Sequence, residues 1–263
     1  MKKIKNIYLS VITVVKNDQY GLEKTYNSLQ IFKKFGFYFE WILIDGSSIP
    51  LNKSFIKKKD TIIIEEEDFG IYNAMNKGID LATGKFLIFL NAGDTLINSK
   101  QIRNLEGKLR KNNVDVICFS WKTIINKKAF LKKSYLRKNK FSRLLRMPSS
   151  HQAMLYKKEK LKTNKFDESF LICGDFAMYL NSLSKMWKYK IYDKNYFIEF
   201  STEGISTKKP ILLARESSYA IFKYSNTNLF IKIFISGILI IRAILRYFFI
   251  KIVLFTTSHK WFK

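Results

Sequence analysis

The sequence predicts an α/β fold: a mixed, mainly parallel sheet flanked by helices, continued by an amphipathic helical segment towards the C-terminal end. Three observations carry that prediction. Short apolar runs of strand length alternate with stretches of helical periodicity through the front half of the chain. The runs stop at clusters of Asp, Asn, Ser and Gly, the residues of turns. The 263 residues are 47% hydrophobic and 16% aromatic, enough for one full core with an appendage.

The first strand is expected over residues 8–15. The next stretch, 21–35, places Leu22, Tyr26, Leu29 and Phe32 at helical spacing. Residues 39–44 form a second strand, stopped by Asp45-Gly46-Ser47-Ser48, and 61–64 a third. A helix over 71–80, a strand over 86–90, a helix over 99–111 and a strand over 114–119 continue the alternation. Right-handed crossovers put the strand ends on one edge, which gathers Thr13, Asp45, Glu66 to Asp68 and Asn91 to Asp94. The alternation then stops. A basic hairpin turns at Asn126-Lys127, and a loop over 147–152 leads to a short strand over 153–156. A helix over 176–186 opens at Gly174-Asp175. Edge strands at 189–191 and 196–200, a loop over 201–210 and a mixed-face helix over 211–224 complete the series.

Charge bears on partners. Lys and Arg number 47 against 21 Asp and Glu, a formal net charge of +26. Such an excess points to an anionic partner: nucleic acid, an acidic membrane face or a phosphorylated substrate. A chain rich in Lys, Ile, Asn and Phe is also what an AT-rich genome produces, with much of the Lys simply solvated; that reading is preferred for the front two thirds. No nucleic-acid reader motif is present, so nucleic acid is not an expected partner. Cys118 lies in an apolar run and reads as core; Cys173 precedes Gly174-Asp175. Neither has metal or redox spacing, which fits a reducing compartment. Lys2, Lys3 and Lys5 ahead of residues 7–15 imitate a signal peptide. The stretch is short, is broken by Ser10 and Thr13, and ends at Lys16-Asn17-Asp18 without a small-residue cleavage site. A buried first strand and a cytoplasmic chain are expected.

The most informative run reads Asp68-Phe69-Gly70-Ile71-Tyr72-Asn73-Ala74-Met75-Asn76-Lys77-Gly78, then Ala82-Thr83-Gly84-Lys85, then Phe86-Leu87-Ile88-Phe89-Leu90-Asn91-Ala92-Gly93-Asp94. An acidic turn feeds a short helix, and a buried strand then delivers Asn91 and Asp94 to its C-terminal end, where open α/β sheets bind ligands. Small residues beside Asp94 let a phosphate or metal approach the backbone.

From about Ser10 to about Ser206 the chain resembles the inverting nucleotide-sugar glycosyltransferases of family 2, with the GT-A (Rossmann-like) fold. It is most similar to bacterial enzymes that build colanic acid, capsule and lipopolysaccharide side chains. Their Asp-x-Gly-Ile-Tyr-Asp-Ala-Met-Asn-Lys-Gly and Leu-Asn-x-Gly-Asp segments both occur here, with Asn73 at the second Asp of the first. The resemblance implies an enzyme that moves a hexosyl or N-acetylhexosaminyl group from a nucleotide sugar, taken as a UDP-sugar. Its acceptor would be a lipid-linked glycan in surface polysaccharide biosynthesis. A non-catalytic scaffold on the same fold is the alternative, and a basic nucleic-acid-binding protein the more remote one.

Such chemistry needs a nucleotide pocket, charge on the leaving diphosphate and a base for the acceptor hydroxyl. The resemblance assigns the nucleotide-sugar pocket to Thr13, Val15, Asn17, Asp45, Asp68, Gly70, Lys77, Asn91, Ala92 and Gly93. Asp45 is also a turn-former before Gly46, Asn17 also a helix cap, and Lys77 also a solvated helix residue. Asp94 is assigned to a divalent metal, Mg²⁺ or Mn²⁺. The family's Asp-x-Asp is reduced here to Asn91-Ala92-Gly93-Asp94, which leaves fewer hard ligands. Asp175 is assigned as the base; an Asp at a helix start is equally an N-cap, and the two roles coexist because the helix dipole favours the charged form. His151, Gln152 and Ser206 are placed at the acceptor and diphosphate, with a structural His151 as the competing reading.

Residues 229–255 are apolar but carry Lys232, Arg242, Arg246 and Lys251, with no uncharged run near the roughly 20 residues a spanning helix needs. At about 100° per residue, Asn228, Lys232, Ser236, Arg242 and Arg246 share one side. An interfacial helix on anionic lipid is the preferred reading; a tilted or re-entrant membrane segment and a packed or subunit-contacting helix compete with it. The expected organisation is thus a catalytic domain over 1–210 and a membrane-associated segment over 211–263, peripheral on the inner face of the plasma membrane.

Overall fold

The computed structural model describes residues 7–57, 61–97, 99–111, 113–125, 128–201 and 208–258. Its elements in order are β1 (Leu9–Val15), α1 (Gln19–Lys34), β2 (Phe39–Asp45), β3 (Thr61–Glu65), α2 (Ile71–Leu81), β4 (Phe86–Phe89), β5 (Thr95–Leu96), α3 (Ser99–Arg103), α4 (Leu105–Lys111), β6 (Val116–Ile125), β7 (Lys128–Lys132), α5 (Lys140–Arg143), a 3₁₀ turn (His151–Ala153), β8 (Met154–Lys157), α6 (Lys158–Thr163), α7 (Gly174–Ser184), β9 (Tyr189–Ser201), α8 (Pro210–Tyr224) and α9 (Leu229–Ser258). They divide into two units. The first is Met1–Leu136, Pro148–Glu168 and Trp187–Thr202; the second is Arg137–Met147, Ser169–Met186 and Glu203–Lys263.

The first unit holds a nine-stranded mixed sheet in the order β3-β2-β1-β4-β8-β6-β9-β5, with β7 paired to β6. Strands β3, β2, β1 and β4 are mutually parallel. Strand β8 is antiparallel to both neighbours, β6 and β9 run parallel, and β5 closes the edge antiparallel. The chain steps from β1 to β2 and β3 on one side, then returns to place β4 on the other. The C-terminal ends of β1 and β4 therefore form the switch point at which such sheets open a crevice.

Both faces of β1 and β2 are buried, as expected of parallel strands between helices. On one face Leu9, Val11, Val15 and Leu43 cluster with Leu22, Leu29 and Phe32 of α1. Asp18 caps that helix by accepting from the Gly21 amide at 2.8 Å. On the other face α2 buries Tyr72, Met75 and Ile79. Its Gly78 lies so close to β1 that a methyl there would come within 2.5 Å of the Ile12 side chain.

The N-terminal edge of the sheet is tied by a buried carboxylate. Glu40 accepts from the Ser10 hydroxyl, from the Thr83 amide at 2.6 Å and hydroxyl at 2.8 Å, and from the Gly84 amide at 3.0 Å. A side chain at Gly84 would sit 2.6 Å from the Ser10 hydroxyl and 2.7 Å from its backbone nitrogen. The Ala82-Thr83-Gly84 part of the motif thus joins α2 to β4 at the edge remote from the strand C-termini.

Several expectations are corrected. The helix expected over 99–111 is broken at Asn104 into α3 and α4. The two edge strands are one, β9, which is not at an edge: it lies between β6 and β5 and absorbs its irregular middle as a bulge opposite Phe119 and Ser120. Strand β5, two residues long, is too short to show a pattern. The turn Asn126-Lys127 and the loop residue Ser206 lie outside the described residues. The second unit groups α7 with α8 and α9.

In the second unit α9 packs along α8. The Lys232 ammonium donates to the Phe222 carbonyl at 3.0 Å, near the C-terminal end of α8. Ile235, Ser236 and Ala243 are buried, while Phe230, Ile233, Phe234, Ile241, Leu245 and Phe248 are exposed. The expected polar stripe is therefore divided: Lys232 and Ser236 are drawn into the helix pair, while Arg242 and Arg246 are exposed along with the apolar residues. Among the described residues no helix is long and apolar enough to cross a membrane.

Candidate active site

The turn after β4 is built from Asn91 to Asp94 and pinned on α1. Gly93, at φ 93°, donates its amide to the Gly21 carbonyl at 2.9 Å and to the Thr25 hydroxyl at 3.0 Å. Thr25 in turn donates to the Asp94 carbonyl at 2.8 Å. The Ala92 amide continues the sheet by bonding the Val14 carbonyl at 3.1 Å. Asp94 is buried; its Oδ2 accepts from the Asn91 amide at 2.9 Å, and the Gln152 side chain donates to it as well. Burial pushes its carboxyl up to about 7, partly offset by the Asn91 amide, Gln152 and the charge of Lys24. The Asn91 Oδ1 is buried without a partner among the described residues.

A second cluster forms at the ends of β1, β2 and β3. Asn17, at φ 53°, donates its amide to the Ser47 hydroxyl at 2.7 Å and accepts from the Ser48 amide at 3.1 Å, joining the loops after β1 and β2. Asp45 is buried and held by Lys53 at 2.5 Å and by the Ser47 amide at 3.0 Å. Burial alone would raise its carboxyl; Lys53 and Ser47 outweigh that and hold it below the ordinary carboxylate value. Lys53 also reaches Glu65 at 3.2 Å. Asp68 pairs with Lys16 at 3.7 Å, accepts from the Gly70 amide at 3.1 Å and leans over Gly46, where any side chain would collide with it. Lys77 bonds Glu66 at 2.9 Å and the Glu67 carbonyl at 3.0 Å.

The structure thus gathers Asn17, Asp45, Asp68, Gly70 and Lys77 in one cluster, and Asn91, Ala92, Gly93, Asp94 and Gln152 in the other. Both lie at the C-terminal edge of the sheet. Thr13 and Val15 join neither through their side chains. The Thr13 hydroxyl is fully buried, accepting from the Trp41 indole at 2.9 Å, and the Val15 carbonyl accepts from the Gly46 amide. His151 is also turned inward. Its ring stacks on Phe89 at 5.7 Å and meets Phe166 edge-on, and burial lowers it to about 4, so it is neutral and packed where a diphosphate contact was expected.

The Asn73 and Asn76 positions acquire a local explanation. Asn76 exchanges hydrogen bonds with both backbone groups of Phe166, at 2.9 Å each, and also donates to Glu168 at 2.7 Å. Asn73 donates to the other oxygen of Glu168 at 2.9 Å. Glu168, Lys53, Glu65 and Thr25 were not singled out from the sequence. Glu168 and Thr25 are paired across long separations, Lys53 and Glu65 across a nearby loop, and none sits in a pattern of its own.

Asp175 lies in the second unit, in the first turn of α7, and its Oδ1 accepts from the Phe176 amide at 2.8 Å. Burial pushes its carboxyl up to about 6, partly offset by backbone amides. The chain entering α7 is tied to α8: the buried Glu216 carboxylate accepts from the amides of Leu171, Ile172 and Cys173.

Among the described residues no group of three His, Cys, Asp or Glu side chains could hold a metal by itself. The residues at the β4 turn nevertheless suit a hard cation. Asp94 brings one carboxylate and Asn91 an orphaned amide oxygen, and a phosphate-bearing ligand would supply the remaining oxygens.

A mixed sheet with its switch point between the parallel strands β1 and β4, and an acidic turn at that point, define a GT-A-like α/β protein. The chain belongs to glycosyl transferase family 2, whose sequence pattern covers residues 10–187. It is 42% identical over 64 residues to a PGL/p-HBAD biosynthesis glycosyltransferase of Mycobacterium tuberculosis, covering 22% of this chain and 25% of the relative. It is 25% identical over 178 residues to an uncharacterized glycosyltransferase of Methanocaldococcus jannaschii, 63% of this chain and 60% of that one. With a dolichyl-phosphate β-glucosyltransferase of Dictyostelium discoideum it shares 28% over 150 residues, 51% and 46% of the two. The chain therefore spans a quarter to three fifths of these relatives. The fold is also that of S. aureus TarS 1–349, with TM-score 0.63 at 15% identity over 92% of this chain and 72% of that segment. The same TarS segment has been solved with UDP and with UDP-GlcNAc.

Proposed function

We propose that this protein is an inverting, metal-dependent glycosyltransferase that takes a hexosyl or N-acetylhexosaminyl group from a UDP-sugar and passes it to a lipid-linked glycan of a bacterial surface polysaccharide. The observation that carries the reading is the position of Asp94: a buried acid in a small-residue turn at the switch point of a family 2 sheet. The UDP and UDP-GlcNAc complexes of TarS support the choice of donor class. The name of the Dictyostelium relative, a dolichyl-phosphate β-glucosyltransferase, supports a lipid-borne acceptor.

In this reading the Asp45 cluster receives the nucleoside, with the loops after β1 and β2 preset by Asn17 and Ser47. Asp94 and Asn91 would hold Mg²⁺ or Mn²⁺, which would supply positive charge to the departing diphosphate. Asp175 takes the proton of the acceptor hydroxyl. That oxygen attacks the anomeric carbon as the carbon–oxygen bond to phosphate breaks, and direct displacement inverts the centre. The exposed apolar residues of α9, together with Arg242 and Arg246, rest on the anionic inner face of the plasma membrane, where a lipid-linked acceptor is found.

The test is thermal stabilisation by a panel of nucleotide sugars with Mn²⁺, followed by release of nucleotide from the best binder. Stabilisation by UDP-sugars, lost in Asp94→Ala, is expected. Binding without any nucleotide release, with or without acceptor lipid extract, would make the chain a non-catalytic scaffold.

A further inference from the structure

We infer that Glu216 is a positioning residue for Asp175, acting through the backbone of residues 171–173. The inference rests on the reading of Asp175 as the base. The Glu216 carboxylate accepts from three successive amides: Leu171 at 2.9 Å to one oxygen, Ile172 and Cys173 at 3.0 Å each to the other. Three consecutive N–H groups turned towards one anion form a concave backbone nest, which fixes the course of the chain. The nest ends one residue before α7, and Asp175 is the second residue of that helix. The Cys173 thiol and Ser217 hydroxyl, 3.1 Å apart, add a second tie between the same two segments. Phe170 packs on Tyr219 one turn further along α8, with ring centroids 5.4 Å apart.

The direction in which Asp175 presents its carboxylate therefore depends on a side chain of α8, distant in sequence. A carboxylate is required for this role. Both of its oxygens accept, whereas glutamine offers one acceptor and would turn an amide N–H₂ towards a backbone donor. Glu216 is itself buried, so removing it leaves three inward-facing amides without their acceptor.

The experiment uses the full chain, with UDP-GlcNAc and Mn²⁺ as the probe and UDP release as the rate. Glu216→Gln should speed hydrogen exchange at the amides of residues 171–173 while leaving the sheet amides protected. It should lower kcat by about 10- to 100-fold, the scale at which misplacement of a reacting group acts. The KM for the donor should stay within about twofold. Glu216→Asp, which keeps both oxygens on a shorter arm, should fall between the two and serves if the glutamine variant does not fold. In an Asp175→Asn background Glu216→Gln should lower kcat no further, because both changes act on one group.

Unchanged exchange at 171–173 overturns the inference whatever Asp175 does. So does loosened exchange with normal kcat, or a further full drop in the double variant. Failure of both Glu216 variants to fold would make the residue one of stability and overturn it too. Normal UDP release by Asp175→Asn alone strikes at the base assignment instead, while the exchange result still reports on the tether.

Discussion

The Gln152 side chain donates a hydrogen bond to the buried carboxylate of Asp94. This single contact joins the 3₁₀ turn before β8 to the turn after β4, two segments that lie far apart in sequence. Its partner across the carboxylate is the Asn91 amide at 2.9 Å. With Lys24 acting only through its charge, these groups only partly offset burial, so Asp94 is poised between its two protonation states near neutrality. A cation bound there would compete with that proton below about pH 7.

Asp94→Asn should make the metal-free protein relatively more stable as pH rises. The folded pKa, about 7, lies above the ordinary carboxylate value of 3.8. The folded state therefore binds the extra proton between those values. The stabilisation from Asp94 is full at lower pH and is lost as pH rises through about 7. Asparagine carries no such loss, so the difference between variant and wild type in denaturant midpoint should grow from pH 4 to pH 8. Mn²⁺ should raise the Tm of wild type more at pH 8 than at pH 6, and should not raise that of the variant. A pH-independent difference would contradict the assigned ionisation.

Asp175→Asn keeps the size and hydrogen-bond acceptor of the side chain but removes its basicity. Turnover should drop by roughly 10² or more, with donor affinity little changed. The wild-type rate should decline on the acid side as the carboxyl, raised to about 6, becomes protonated. Loss of donor binding in place of turnover would make Asp175 part of the donor site.

Glu40→Ala is expected to damage the fold and spare the chemistry. It leaves the Thr83 amide and the Ser10 hydroxyl without their acceptor and removes one of the two acceptors of the Gly84 amide, the other being the Ser10 hydroxyl oxygen. The cost should be about 3 kcal/mol or more by chemical denaturation. UDP release per folded molecule should stay near wild type, because Glu40 is at the opposite edge from Asp45 and Asp94.

A chain ending near Tyr224 should be more soluble and should retain nucleotide-sugar binding. The full chain should bind anionic vesicles, with salt weakening that only partly, since apolar insertion is not screened. Changing Arg242 and Arg246 to Glu should weaken binding to anionic vesicles far more than to neutral ones. A truncated chain that unfolds, from a parent that ignores vesicles, would assign α9 to packing alone.

The parallel half of the sheet was legible because each of its strands is an apolar run bounded by turn residues. From Leu9 to Phe89 the expected elements stand within two residues of their observed ends. What escaped the sequence is what is held by distant partners. Strand β9 looked like two edge pieces because Asp193, Lys194 and Asn195 interrupt its apolar pattern; pairing with β6 carries it through. Among the site residues, Asp45, Asp68 and Asp94 were marked by neighbouring glycines and strand ends. Lys53, which holds Asp45, sits in a loop with no signal beyond its charge. His151 carries two readings in the sequence, and its ring packs as an aromatic between Phe89 and Phe166 with a buried Nδ1 that has no partner among the described residues.

The crowding of Asp68 over Gly46 has a consequence for anyone redesigning the pocket. An alanine at 46 requires the carboxylate at 68 to swing away or be shortened, and nothing but that one side chain stands in its way. A library that randomises Gly46 therefore samples displaced positions of Asp68 as well, and paired changes at 46 and 68 are the way to separate the two. Moving Asp68 also frees Lys16 and the turn at Gly70. Donor selectivity and the start of α2 would then evolve as one trait.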